Sequence, residues 1–299
     1  MRRLLALLAA ATLSATGVGA LGGAAAAAPA PPDPNKRALV VGISQYEPPT
    51  RPTFGGAGDA ESVKSALLKN GWAEDNIVML VDGAATADAI RKGLDWLVRS
   101  SNANTESVFH YSGHTKQERS GMADGDAEEY DEFIWSALNE FIADGELSDR
   151  LQDLQGKSVI SIAACEAAGF DDGISSPNRM VLSASREDQK AYEYAGAARS
   201  VFVNLLFDQA LLAGAGDTDG NKAVSLQEAY KYAAAIAPKE TANQQPYGPQ
   251  DPVMAGGDGS QWFLSPPAAA SGGLGALIPK DVMALLPKEL RGLLVPQTP

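Results

Sequence analysis

The chain has 299 residues, 45% of them hydrophobic and 20% charged, with 24 Lys and Arg against 37 Asp and Glu. That length holds one large domain or two small ones, and a net charge of −13 excludes a general nucleic-acid or anionic-membrane binder, which needs a positive field. One Cys and two His exclude an internal disulfide, zinc sites built on several thiolates and three-histidine metal chemistry.

Residues 1–30 read as a signal peptide. Arg2 and Arg3 precede an apolar stretch from Leu4 to Leu13, and small residues follow up to Ala30. The apolar stretch is too short and too alanine-rich for a membrane span, so the expectation is a secreted, extracellular protein. Residues 31–37 form a Pro-rich linker, and 38–264 one globular domain. In that domain short apolar runs at 38–44, 76–81, 107–112, 157–163 and 179–183 read as buried strands. Helical spacing appears near 59–70, 87–100, 146–154, 199–213 and 226–236. The alternation predicts an α/β fold: a mostly parallel sheet with helices on both faces. Residues 265–299 are a Pro/Ala/Gly-rich linker and a short amphipathic segment. Its apolar residues, from Val282 to Leu294, are interrupted by Pro287 and charges, so it does not span a bilayer; it reads as a short amphipathic helix docked on the body, with a partner or surface anchor as the alternative.

Chemistry in such sheets collects outside the carboxyl ends of the strands. There the sequence places Cys165, at the end of the 157–163 run, and His114, just past the end of 107–112. An imidazole beside a thiol is the common way to favour the attacking thiolate. His110 lies inside its strand and reads as structural. No Gly-x-Ser-x-Gly elbow is present, and Gly156-Lys157-Ser158 lacks the earlier Gly of a phosphate loop and precedes a strand. No organic cofactor is expected.

A family resemblance follows from these residues. Asp59-Ala60, Ala85-Thr86, Phe109-His110-Tyr111-Ser112-Gly113-His114, Tyr130-Asp131-Glu132, Asp144-Gly145-Glu146-Leu147, the Cys-bearing strand and Ser183 to Gln189 with Ala191 and Glu193 occur in one order. Together, over roughly 38–236, they resemble the caspase-like cysteine peptidases, the metacaspase-type branch above all. The resemblance implies a caspase-like three-layer sandwich and a cysteine-type endopeptidase acting on peptide or protein substrates. It makes Cys165 the nucleophile and His114 the general acid/base. Metacaspases cleave after Arg or Lys, and Asp59 and Ser112 match positions lining that specificity pocket; Asp188 is a further candidate acid. Three departures stand out. Thr115 replaces a Gly after the His, beside the expected oxyanion site. Ala163 replaces an Asp two residues before the nucleophile. Glu166 follows the Cys, as in legumain-like members of the same clan.

Calcium is the one metal the sequence suggests. From Asp217, oxygens fall at loop positions 1, 3, 5, 9 and 12, an EF-hand-like spacing that includes Asp219, Asn221 and Glu228. Lys222 stands where Gly makes the sharp turn, and a left-handed Lys costs about 1–2 kcal/mol. The metal-free alternative is a capping box from Ser225 to Glu228. The resemblance adds a second acidic set, Asp131, Asp144 and Asp172. Two readings of the whole therefore stand. One is a calcium-activated peptidase; the other is an inactive caspase-fold protein serving as a calcium-dependent binding module, which Ala163 and Thr115 favour. The sequence does not fix an oligomeric state.

Overall fold

The computed structural model describes residues 33–119, 130–171, 173–260, 262 and 294–296. The expected signal peptide, most of the acidic run 124–132, Asp172 and nearly all of the tail lie outside the described residues. Along the chain the strands are β1 (Lys36–Gly42), β2 (Ile77–Val81), β3 (Glu106–Ser112), β4 (Thr115–Arg119), β5 (Tyr130–Trp135) and β6 (Phe141–Ala143). They continue with β7 (Lys157–Ala163), β8 (Arg179–Ser183), β9 (Tyr192–Tyr194), β10 (Arg199–Ser200), β11 (Val253–Gly256) and β12 (Leu294–Pro296). The helices are α1 (Gly56–Lys69), α2 (Ala87–Arg99), α3 (Asp144–Leu151), α4 (Val201–Val203), which runs on as a π-helix over Asn204–Leu212, and α5 (Leu226–Thr241).

The main sheet has the order β11-β8-β7-β3-β1-β2. Its pairs are parallel except β11 on β8. Strand alternation sends Ala38, Val40, Val108 and Val159 into one core with residues of α1, α4 and α5. Leu39, Val41, Phe109, Ile160 and Ile162 go to the other face, against α2 and α3. The fold is thus the expected α/β sandwich. Its central strands are buried on both faces and read as unbroken apolar runs for that reason.

Local signals explain the helices. Thr86 caps α2 through its side chain, Asp88 and Arg99 complement the helix dipole, and Ile90, Leu94 and Leu97 form the buried stripe. Each of those three contributes roughly 1.5–3 kcal/mol by burial. At the start of α1 a Cβ on Gly42 would collide with the Gly56 carbonyl, so only glycine lets the helix begin this close to the end of β1.

Two small antiparallel sheets, β4-β5-β6 and β10-β9-β12, flank the carboxyl end of the main sheet. Neither was legible in the apolar pattern. The expected tail helix meets the described residues only at Leu294, which lies in β12 instead. There its backbone satisfies the open edge of β9. Among the described residues no helix is long and apolar enough to cross a membrane.

Candidate active site

β3 and β7 run parallel in register, Ser112 opposite Ala163. Two residues beyond this pair come His114 and Cys165, so the imidazole and the thiol leave the same edge from adjacent strands, which lie about 4.8 Å apart. The Thr115 hydroxyl donates to the Cys165 carbonyl at 2.7 Å and ties the two strand ends together. Thr115 therefore turns its hydroxyl to the Cys165 backbone.

The imidazole is fixed from several sides. His114 Nε2 lies 2.8 Å from the Arg51 carbonyl; a carbonyl only accepts, so Nε2 carries the proton and Nδ1 is the basic nitrogen. The Tyr46 ring lies 4.8 Å from the imidazole, centroid to centroid, and its hydroxyl accepts from the His114 backbone N–H at 2.7 Å. Trp135 flanks the ring at 6.0 Å. A Cβ on Gly113 would come 2.8 Å from the Tyr111 hydroxyl, which accounts for glycine before the His.

Cys165 is followed by a sharp turn in which Glu166 has φ of +48°, a left-handed value costly for a non-glycine residue. The Ala191 N–H donates to Cys165 Sγ at 3.4 Å, and Glu166 pairs with Lys190. Burial pushes the thiol up to about 12, the Glu166 charge adding to it and Lys190 and the Ala191 N–H opposing it. Cys165 and His114 are each 1% exposed, so both are buried.

Asp59 and Ser112 are brought together. The Ser112 hydroxyl donates to Asp59 Oδ2 at 2.6 Å, and the Ser200 N–H to Oδ1 at 2.9 Å. Burial raises the Asp59 carboxyl to about 7 against those hydrogen bonds. Glu193 accepts from the Gly55 N–H at 2.6 Å and the Phe54 N–H at 2.9 Å, close enough to raise Asp59 further. Asp188 is not part of this cluster; its side chain is 73% exposed and faces Arg186. His110 is buried against Ser161 and Phe207, and burial lowers it to about 3, so it is neutral and structural as expected.

The acidic loop before α5 forms a separate cluster. Ligand oxygens of Asp217, Asp219 and Glu228 lie within 4.8 Å of one another. Lys222 takes the left-handed turn, with φ of +68°. Asn221 instead bonds to the Ala223 N–H and to Asp219. Glu228 also closes the capping box with Ser225, so the metal-free role is realised in full. Three oxygen donors suit a hard cation such as calcium. In the second set Asp144 accepts from the Glu132 and Gly145 N–H groups, and burial next to Asp144 and Glu187 raises Glu132 to about 8.

The residues that the sequence did not single out are Tyr46, Arg51 and Lys190. Tyr46 follows the carboxyl end of β1, so the strand-end rule could have found it. Arg51 acts through a backbone carbonyl, for which no side-chain pattern exists.

Residues 36–169 match the family model described as Metacaspase, peptidase C14 domain. This segment is similar to the metacaspase-type domains. Metacaspase-1 of Candida albicans is 35% identical over 123 residues, covering 36% of this chain and 27% of that protein. Metacaspase-1 of Cryptococcus neoformans is 31% identical over 159 residues, 49% of this chain and 34% of the relative. Metacaspase-3 of Arabidopsis thaliana is 36% identical over 90 residues, 28% of this chain and 25% of the relative. The chain thus spans about a quarter to a third of the length of these metacaspases. The crystal structure of protein GSU0716 from Geobacter sulfurreducens aligns with a TM-score of 0.56 at 14% identity, over 78% of this chain and 98% of that one. That likeness shows the shared fold.

Proposed function

We propose that this protein is a cysteine endopeptidase, held here in a closed form, with Cys165 as nucleophile and His114 as general acid/base. The supporting observation is the in-register pairing of β3 with β7, which delivers the chain's one thiol and the Arg51-oriented imidazole to one strand edge. In the open form His114 Nδ1 takes the thiol proton, and Sγ attacks the substrate carbonyl. The C–N bond breaks as the amine leaves with the proton from His114. A water, deprotonated by His114, then hydrolyses the thioester and returns the thiol. Backbone N–H groups at Cys165 and the His114 loop are the candidate oxyanion donors.

Preference for Arg or Lys before the scissile bond is part of the proposal. It is supported by the Asp59–Ser112 pair with Glu193 nearby, which offers negative charge despite Ala163. Calcium activation is supported by the oxygen cluster at Asp217, Asp219 and Glu228. Secretion rests on the 1–30 segment alone. The test is a panel of fluorogenic peptides with Arg, Lys, Asn or Asp before the bond, with and without calcium. Calcium-stimulated turnover of the Arg and Lys peptides, lost in Cys165→Ala, is expected. No turnover of any peptide under either condition would favour the binding module.

A further inference from the structure

We propose that Leu294–Pro296 is an autoinhibitory strand, occupying the edge of β9 along which the acyl side of a peptide substrate runs toward Cys165. The identity of the displaced ligand rests on the peptidase reading; the docking itself does not. β9 has β10 on one side and β12 on the other. The β12 register is antiparallel, Leu294 opposite Tyr194, Val295 opposite Glu193 and Pro296 opposite Tyr192. The residue preceding Tyr192 is Ala191, whose N–H touches Cys165 Sγ. A chain laid on this edge therefore approaches the thiol as it runs from N to C. That is the direction a substrate must take, because the attacked carbonyl ends the N-terminal, acyl portion.

The edge is fixed in place. The Phe54 and Gly55 N–H groups hold the Glu193 carboxylate, and Gln250 accepts from the Tyr192 N–H at 2.9 Å. Peptides bind such edges through main-chain hydrogen bonds with little demand on sequence, so substrate and β12 are competitors for one ladder. The β12 ladder is three residues long and ends in a proline without an N–H, which makes it releasable. A tether gives a docked segment a millimolar effective concentration. If the segment's own Kd is about one tenth of that, the apparent KM for peptides rises about tenfold.

The experiment compares the full chain with a form lacking residues 294–299 and with full-length Leu294→Pro/Val295→Pro, which keeps the tail but removes two N–H groups. Both altered forms are expected to show a KM about tenfold lower with kcat unchanged. A synthetic peptide of residues 291–297 should inhibit the shortened form competitively. The same labelled peptide is also titrated by fluorescence anisotropy into Cys165→Ala forms of each, where no turnover is needed. It should bind the shortened form about tenfold more tightly than the full-length one. Equal, weak binding to both overturns the strand, whatever the activity. Tighter binding to the shortened form without turnover by any active-site-intact form retains the strand and removes the peptidase reading.

Discussion

Cys165 is the only thiol in the chain, so its ionisation can be read without background. Its rise from an ordinary 9.0 to about 12 leaves about a thousandfold less thiolate at neutral pH. A more basic thiolate is a better nucleophile, and a Brønsted slope of 0.4–0.5 recovers about 15- to 30-fold. The native thiol should therefore react with iodoacetamide about 30- to 60-fold more slowly than in the unfolded chain, and the 1% exposure of the residue makes that a lower bound. Glu166→Gln removes the negative charge that raises the thiol and leaves Lys190 beside it. With a charge effect of roughly 1–2 pH units, labelling should accelerate about three- to tenfold. The assay is alkylation followed by intact mass from pH 6 to 10, native against denatured. A native rate within threefold of the denatured one, with an inflection near pH 8–9, would refute the burial argument. So would an unchanged rate in Glu166→Gln.

Thr115→Val should lose about 1–3 kcal/mol in guanidinium unfolding because it removes the hydroxyl that donates to the buried Cys165 carbonyl; Thr115→Ser should retain most of it, and equal losses would contradict the hydrogen bond. Asp59 is raised in the fold from 3.8 to about 7, so between those values the folded chain holds a proton that the unfolded chain has released. Stability should fall as pH rises from about 4 to about 7 and then level off. Asp59→Asn should flatten that slope, and an unchanged slope in unfolding curves from pH 4 to 8 would remove Asp59 as its source. Calorimetric titration of calcium should lose one binding event in Asp217→Ala; identical isotherms would leave the loop as a capping box alone.

The central strands were legible because they are buried on both faces. β7 and β8 coincide with their apolar runs, and β3 extends its run by one residue. That Cys165 and His114 leave the same sheet edge was legible too, since it needs only two strand ends on the same side of a parallel sheet. β4 was not, because Thr115–Arg119 is polar and its order comes from pairing with β5 rather than from its own pattern. The hydrogen bond of Thr115 was not legible for a related reason. Side-chain identity says that a hydroxyl is present, whereas its partner, the Cys165 carbonyl, is set by how two loops meet. Asp188 shows the converse. A carboxylate in the right motif, on a loop that holds it in solvent, contributes no charge to the Asp59 cluster. Of the tail only Leu294–Pro296 is described, and there the edge of β9 holds the backbone as a strand that its own sequence does not announce.

Intact-mass analysis after exposure to an electrophilic peptide ending in an arginine chloromethyl ketone tests the cysteine–histidine mechanism most directly. One adduct on Cys165 is expected in the wild-type chain, formed at least a hundredfold more slowly in His114→Ala, in the range general acid–base assistance supplies. An adduct forming equally fast without the imidazole, or none at all with or without calcium, would contradict it.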